Sequence, residues 1–252
     1  MKTSTEHALA KVPEVTLGFW LIKIAATTLG ETGGDAVSMS MNLGYLVGTA
    51  IFAAIFLAAV VAQVKAKDFH PFLHWTTIIA PPTVGTTLAD FADRSLGIGY
   101  AGGSSLLLAL LLGSLFVWHR TLGSVSVSTV SSPKAEAFYW LTIMFSQTLG
   151  TALGDWTADT AGLGYTGAAV VFGGLLALVV AAYYWTSVSR TLLFWAAFIL
   201  TRPLGAVVGD FLDKPVSAGG LALSRYSASA ALLTFIVVAI LLFRQRAART
   251  AH

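Results

Sequence analysis

The chain has 252 residues, of which 56% are hydrophobic and only 11% charged, with a formal net charge of +3 at neutral pH. Soluble domains carry about 25% charged residues, so this composition excludes an ordinary soluble protein. There is no cysteine, which excludes disulfide bonds, thiolate metal ligands and cysteine nucleophiles. Together with a mean hydropathy of +0.77, the composition predicts an integral membrane protein.

The chain opens with a polar segment of mixed charge and then alternates between two kinds of apolar segment. Residues 1–16 lack the basic and then apolar order of a cleavable signal peptide, so we expect a short N-terminal extension, residues 1–11, and a first span that directs insertion. Runs such as residues 43–64 and 226–243 are almost purely apolar. Their length is close to the ~20 residues that a membrane-spanning helix needs.

A repeated pattern divides the rest of the chain into four units. Each unit has a tryptophan, a glycine ten residues later and an aspartate fifteen residues after the tryptophan. The matched residues are Trp20, Gly30 and Asp35; Trp75, Gly85 and Asp90; Trp140, Gly150 and Asp155; and Trp195, Gly205 and Asp210. The pattern predicts repeats over about residues 12–66, 67–120, 133–188 and 189–243 in a single transmembrane domain, followed by a short C-terminal tail, 244–252.

Each repeat predicts two helices. The first begins just before the tryptophan and ends shortly after the aspartate, and an apolar second helix follows a glycine-rich turn. Gly44, Gly99 and Gly164 each precede a tyrosine in the first three turns, whereas the fourth turn reads Ala218-Gly219-Gly220, so we expect it to differ. The predicted fold is an all-α polytopic membrane protein of eight transmembrane helices, arranged as four tandem hairpins with pseudo-symmetry.

The polar residues of the four first helices fall on one stripe when they are projected at about 3.6 residues per turn. An unpaired polar group in hydrocarbon costs several kcal/mol, so the stripe cannot face lipid. We therefore expect the first helices inside and the second helices facing lipid. Pro81, Pro82 and Pro203 predict helix breaks near the midplane, where loosened backbone lines a cavity. A proline kink that only shapes the packing is the alternative.

Charge predicts the orientation. Because each repeat has an even number of spans, all the tryptophans lie at one side of the membrane and the aspartates toward the other. Most Lys and Arg residues lie on the tryptophan side: Lys2, Lys11, Lys65, Lys67, Arg120, Lys134, Arg190, Arg244, Arg246 and Arg249. Only Arg94, Lys214 and Arg225 lie on the other side. Cationic loops accumulate in the cytoplasm, so both termini are predicted to be cytoplasmic. The basic balance is a topology signal and does not indicate nucleic-acid binding.

Eight of the 12 carboxylates fall in four matched pairs: Glu31 and Asp35, Asp90 and Asp93, Asp155 and Asp159, and Asp210 and Asp213. Clustered carboxylates repel one another and need a proton, a metal ion or a basic side chain. Oxygen ligands without cysteine favour hard cations such as Mg²⁺, Ca²⁺ or Mn²⁺. We interpret Asp35, Asp90, Asp155 and Asp210 as a candidate cation or metal site, and Asp93, Asp159 and Asp213 as its outer mouth.

Further residues complete the candidate substrate or ion site. They are Glu31, the threonines Thr28, Thr83 and Thr148, and two cations that occur in single repeats, Lys23 and Arg202. The alternative is an internal salt-bridge network that neutralises the acids without a ligand. The repeated glycines, Pro82 and Pro203 are predicted to be structural. The tryptophans are interpreted as packing at the cytoplasmic end or as interface anchors, and His70 and His74 as loop residues.

At this level of detail the chain resembles the bacterial membrane proteins built from four tandem two-span repeats, each with a characteristic tryptophan, that are grouped as a repeat of unknown function. The resemblance rests on the Trp, Gly and Asp triplets and the opening KVPEVTLGFW, and it covers about residues 12–243. It implies the architecture and a bacterial inner-membrane location. It leaves the activity open.

The pattern favours a transporter or channel for a cation, with a divalent metal ion and a small cationic solute both among the candidate substrates. The partners expected are the lipid bilayer and that substrate, with no nucleic acid. No enzymatic activity, catalytic residue or cofactor is predicted, apart from a divalent cation if the acids hold one. The alternatives are a membrane-embedded enzyme that uses paired carboxylates, and a sensor or structural membrane protein without transport. The oligomeric state is left open.

Overall fold

The computed structural model describes residues 12–66, 68–95, 97, 99–126, 130, 132–243 and 245–248, with the side chains of residues 93 and 94 outside that description. Its described part is all-α, with two long helices per repeat as predicted. The helices are α1 (Leu17–Asp35), α2 (Tyr45–Lys65), α3 (Pro71–Asp90), α4 (Tyr100–Leu122), α5 (Pro133–Asp155), α6 (Gly164–Trp185), α7 (Arg190–Asp213) and α8 (Arg225–Leu242).

The first helices of the repeats begin at ordinary capping signals. The Thr16 hydroxyl accepts a hydrogen bond from the Phe19 N–H at 3.2 Å, and the Ser132 hydroxyl accepts one from Ala135 at 3.3 Å. Such caps satisfy backbone donors that have no partner within the helix. Pro71 and Pro133 are the first residues of α3 and α5, where a missing N–H does no harm.

The ends of these helices coincide with the repeated aspartates. After the aspartate, α1, α3 and α5 each continue for one turn of π-helix, over Ala36–Ser40, Phe91–Ser95 and Trp156–Thr160. The fourth repeat has no such turn. Helix α7 instead continues as α-helix to Asp213, and a short 3₁₀ turn, Val216–Ala218, follows. The fourth turn therefore differs, as its sequence predicts.

A glycine with positive φ lies in every turn, 24 residues after the tryptophan. The φ angles are 78° at Gly44, 77° at Gly99, 64° at Gly164 and 88° at Gly219. This left-handed region favours glycine because any side chain would be strained there. The fourth repeat thus has a glycine, Gly219, at the same position as the other three. It differs in the next residue, which is Gly220 and not a tyrosine.

The four first helices form an inner ring in which α1 packs on α3, α3 on α5, α5 on α7 and α7 back on α1. The repeated glycines lie at these four contacts. A Cβ atom would lie 2.4 Å from Pro82 at Gly30, 3.0 Å from the Gln147 backbone at Gly85, 2.3 Å from Arg202 at Gly150 and 2.3 Å from Thr27 at Gly205. The absence of a side chain therefore lets each pair of inner helices approach closely, as the sequence predicts.

The interior prolines do not break their helices. Helix α3 runs through Pro81 and Pro82, and α7 runs through Pro203. The prediction of helix breaks near the midplane is therefore wrong. Pro82 packs against Gly30, and Pro203 against Gly150, where a Cβ atom would lie 3.0 Å from the proline Cδ. Pro82 and Pro203 therefore contribute to the packing between inner helices, as the alternative interpretation of their sequence positions stated.

The second helices cover the ring in a swapped arrangement. Helix α2 packs against α3, α4 against α5, α6 against α7 and α8 against α1, so each chiefly covers the inner helix of another repeat. The chain ends strengthen the closure of the ring. The Glu14 N–H donates to the Arg246 carbonyl at 2.9 Å, and the Ala248 N–H donates to the Val12 carbonyl at 2.9 Å.

The outer surface is apolar. Five helices are long and apolar enough to cross a membrane, namely α2, α4, α6, α7 and α8. The second helices of the repeats bury only a small share of their residues within the protein, so their Leu, Val and Phe side chains remain on the outside. A soluble monomer rarely exposes apolar patches of this extent. The chain is therefore a membrane protein, in contact with the lipid bilayer.

Candidate functional site

The tryptophan end of the inner ring is a packed aromatic layer. Trp75, Trp140 and Trp195 are almost fully buried, and Trp20 is partly buried. The Trp195 indole N–H donates to the Val125 carbonyl at 3.0 Å, and the Trp75 N–H donates to a Gln245 side-chain oxygen at 3.2 Å. The tryptophans therefore close this end of the ring through packing, which was one of the two interpretations of their sequence pattern.

Four levels of inward-facing side chains fill the axis between the tryptophan layer and the far end. Their members stand 3, 7, 11 and 15 residues after the tryptophans. The levels are Lys23, Ile78, Ile143 and Phe198; then Thr27, Pro82, Gln147 and Arg202; then Glu31, Thr86, Thr151 and Ala206; and finally Asp35, Asp90, Asp155 and Asp210. All sixteen residues are buried, so the axis is closed at every level.

The level nearest the tryptophans holds one buried cation. The Lys23 ammonium donates to the Gln147 side-chain oxygen at 3.2 Å and lies 4.2 Å from the centre of the Phe198 ring. An ammonium over an aromatic face is attracted by the ring quadrupole. His74 is also fully buried, within α3 and between Trp75 and Trp140. The prediction that His74 is a loop residue is therefore wrong.

Arg202 occupies the centre of the ring and contacts all three neighbouring inner helices. Its Nε donates to the Gln147 carbonyl and its Nη1 to the Thr27 carbonyl, both at 3.2 Å. Its Nη2 lies 2.9 Å from a Glu31 carboxylate oxygen, with a side-chain exposure of 0% for Arg202 and 4% for Glu31. The buried charge is thus paired within the protein, as a buried guanidinium requires.

Three more acceptors surround the same Nη2 atom. The Thr86 hydroxyl lies 2.6 Å away, the Pro82 carbonyl 3.2 Å away, and the Thr151 hydroxyl is also in contact. An amino group of guanidinium carries only two hydrogens, so these acceptors share them with Glu31. Among the described residues, every hydrogen-bond partner of the guanidinium is therefore an oxygen atom, and these atoms form an oxygen shell around it.

The aspartate level is bridged by Lys214, which lies in the fourth turn. The Lys214 ammonium lies 2.8 Å from an Asp35 carboxylate oxygen and 3.0 Å from one of Asp210. Burial alone lowers the pKa of Lys214, but the carboxylates of Asp210 and Asp35 outweigh that effect and hold its pKa above the ordinary value. Lys214 therefore bridges two helices of the ring, α1 and α7.

Arg225 completes this cluster from the start of α8. Its Nε lies 2.9 Å from an Asp213 carboxylate oxygen and 3.6 Å from one of Asp35. Carboxylate oxygens of Asp35, Asp210 and Asp213 lie within 4.8 Å of one another, close enough to hold a metal ion. Lys214 and Arg225 offset two of the three negative charges of this group, so most of its charge is neutralised without a metal ion.

The remaining predicted acids are distributed differently. Asp90 and Asp155 are buried at the aspartate level, outside the three-carboxylate cluster. Asp159 is exposed, whereas Asp213, which the sequence also assigns to the outer mouth, is buried against Arg225. The side chain of Asp93 lies outside the part of the chain that the structure describes.

The predicted threonines are bound to their own helices. The hydroxyls of Thr28, Thr83 and Thr148 donate to the carbonyls of Ile24, Ile79 and Met144, each at 3.0 Å. The threonines whose hydroxyls contact the central guanidinium are instead Thr86 and Thr151, which the sequence prediction did not select. In a helix that turns by about 100° per residue, a residue 11 positions after the tryptophan points about 20° away from it, and a residue 8 positions after it points about 80° away. Thr86 and Thr151 are of the first kind and the predicted threonines of the second, so the helical projection could have distinguished the two groups.

The fold and the axis together define a class of protein, an all-α membrane protein whose four tandem repeats enclose a closed and charged axis. The chain belongs to the family described as Repeat of Unknown Function (DUF347), which matches residues 18–69, 73–124, 138–189 and 193–248. Each matched segment contains one complete Trp, Gly and Asp triplet, which confirms the resemblance. No curated protein and no solved structure matches the chain.

Proposed function

We propose that all eight helices cross the membrane, with α1, α3 and α5 spanning inside the ring that the apolar helices cover. These three helices have 19, 20 and 23 residues, which matches the ~20 residues of a span. Their polar side chains do not oppose this placement, because they face the axis and one another. Polar groups are tolerated at membrane depth where protein surrounds them.

The proposed orientation places both termini and the tryptophan layer in the cytoplasm of a bacterium, with the aspartate level toward the outside of the inner membrane. Its support is the excess of Lys and Arg in the loops at the tryptophan end. In this arrangement Lys214 and Arg225 lie at the outer end, beside the aspartates.

The proposed function is transport of a small cation along the axis of the inner ring. The observation that carries it is the burial of Asp35, Asp90, Asp155 and Asp210 at one level of four packed helices. Buried ionisable groups within a membrane are expensive, and they commonly mark the pathway of an ion or proton. In this proposal the aspartate level attracts the cation, and the Arg202 level is the closed gate behind it.

Flux into liposomes that contain the purified protein tests the proposal, with a panel of monovalent and divalent cations and small organic amines. Asn in place of each of the four aspartates should lower flux per folded molecule about tenfold or more, since a charged hydrogen bond is worth about 1.5–3 kcal/mol. Asp68→Asn is the matched control, because this carboxylate is exposed and lies between α2 and α3, at the tryptophan end and away from the aspartate level. Unchanged flux in stable Asn variants at all four positions would exclude the cation pathway.

A second candidate is a structural or sensory membrane protein without transport. The observation that favours it is Lys214, whose bridge between Asp35 and Asp210 gives two of the acids a partner without any ligand. This candidate predicts that no cation of the panel crosses the membrane through the wild-type protein. It also predicts that the Asn variants at these two positions change the melting temperature alone.

A further inference from the structure

The oxygen shell around Arg202 is built by three helices other than its own. Helix α1 contributes the Thr27 carbonyl and the Glu31 carboxylate. Helix α3 contributes the Pro82 carbonyl and the Thr86 hydroxyl, and α5 contributes the Gln147 carbonyl and the Thr151 hydroxyl. None of these acceptors depends on the Arg202 backbone, so the shell belongs to the ring and the guanidinium is its occupant.

The shell also has the chemistry of a cation receptor. It offers carbonyl oxygens, whose second lone pairs remain available when the first accept the helical hydrogen bond. It contains a single carboxylate, which matches one positive charge. A planar group with N–H donors on three sides fits acceptors that converge from three sides, and this is the geometry in which guanidinium excels. Divalent metal ions, by contrast, generally bind where several carboxylates converge.

The close contacts of the ring hold the shell in place. Gly30, Gly85 and Gly150 bring the backbones of α1, α3, α5 and α7 together at this depth, where an added Cβ atom would lie within about 3 Å of a neighbouring helix. Preorganised acceptors lose little entropy when a ligand binds. Removal of the Arg202 side chain should therefore leave a formed cavity with unpaired acceptors, rather than a collapsed one.

We propose that the centre of the inner ring is a binding site for a guanidinium-type monovalent cation, which the Arg202 side chain fills as a tethered occupant. The proposal of a binding site depends only on the geometry of the oxygen shell. As the place where a transported cation displaces Arg202, it rests on the proposed function, and it then narrows the substrate class to small organic cations that carry a guanidinium or amidinium group.

The test is chemical rescue of Arg202→Ala by free guanidinium ion. Truncation leaves the Glu31 carboxylate buried without its cationic partner, so the melting temperature of the purified variant should fall clearly below that of the wild type. Millimolar guanidinium chloride, far below denaturing concentrations, should raise it again in a saturable manner. Sodium chloride at the same ionic strength should not, and the wild type should respond to neither salt.

Two further variants isolate the site. Lys23→Ala removes another fully buried cation from the same axis, but the described contacts of Lys23 include only one oxygen acceptor, so guanidinium should not rescue it. Arg202→Ala combined with Glu31→Gln removes both charges and should be stable without any added ion, with the guanidinium response lost. An equal response of all three variants would overturn the proposal, because it would show a general salt effect.

The outcome is decisive even if Arg202→Ala does not fold alone. The variant is then expressed and extracted with guanidinium present throughout, with the double variant as the folded reference. Failure to recover Arg202→Ala under these conditions, when the double variant is recovered, overturns the site. Guanidinium flux through the wild type is measured separately, so a binding site without flux would reject the transport proposal while the binding site stands.

Discussion

The bridge made by Lys214 predicts a specific non-additivity between two aspartates. In Asp35→Asn or Asp210→Asn alone, Lys214 keeps one carboxylate partner, at 3.0 or 2.8 Å respectively. Loss of one charged hydrogen bond costs about 1.5–3 kcal/mol, and relief of the repulsion between the two carboxylates offsets part of it. We therefore expect each single variant to lose about 1 kcal/mol of stability.

The double variant is a different case, because it leaves Lys214 without either partner. An uncompensated buried charge costs about 3–5 kcal/mol. The Lys214 side chain is 14% exposed and the Asp213 carboxylate stays near it, so the lower end of that range is expected. The cost should exceed the sum of the two single changes by about 1 kcal/mol, which is within the usual range of coupling between contacting residues.

Thermal unfolding in one detergent measures this coupling, and about 2–4 °C of melting temperature corresponds to each kcal/mol for a chain of this size. The control is Lys214→Met added to the double variant, which removes the stranded cation and should restore most of the loss. Strictly additive single effects, together with no recovery on adding Lys214→Met, would refute the account of the aspartate level as a bridged charge cluster.

Two further predictions concern the ring and its orientation. Gly205→Ala should lower stability by about 1–3 kcal/mol, because the added methyl group would overpack against Thr27. Gly173→Ala, on an outer helix with open space around it, should be neutral or stabilising by about 0.5–1 kcal/mol. Equal melting temperatures of the two variants would contradict the close contact. Single-cysteine labelling in intact cells should modify Ser217→Cys but not Ser187→Cys, because both serines are exposed and lie at opposite ends of the protein; the reverse pattern would invert the orientation.

The repeat pattern predicted the ring because identical offsets in four helices produce identical contacts. Gly205 and Thr27, for example, are 178 residues apart in sequence and meet only because the fourth inner helix closes on the first. The swapped covering of the ring was not predictable in the same way. An outer helix such as α2 is apolar on all sides, so its sequence does not say whether it packs on α1 or on α3.

The sequence predicted which charged residues belong to the axis, but it did not predict which of them form ion pairs. Arg202 and Glu31 were both assigned to the candidate site. The projection of one helix, however, gives only the direction of each side chain around that helix's own axis. Which residues meet also depends on how far each helix is shifted along its neighbour, and the glycine contacts set that shift. The partnership of Lys214 with Asp35 depends in addition on a turn outside the helical pattern.

The charged residues of the axis differ between the repeats in a way that limits repulsion between like charges. Four identical repeats place like groups at one level, and like charges in a buried site repel strongly. Lys23, Glu31 and Arg202 each occur in one repeat only, which avoids that repulsion at the inner levels. The aspartates are the one charged level that all four repeats share. The cations that neutralise part of it are Lys214, in the turn after α7, and Arg225, the first residue of α8, where the fourth repeat departs from the pattern of the others. The departure of the fourth repeat therefore supplies the cations that pair with two of the four repeated aspartates, Asp35 and Asp210.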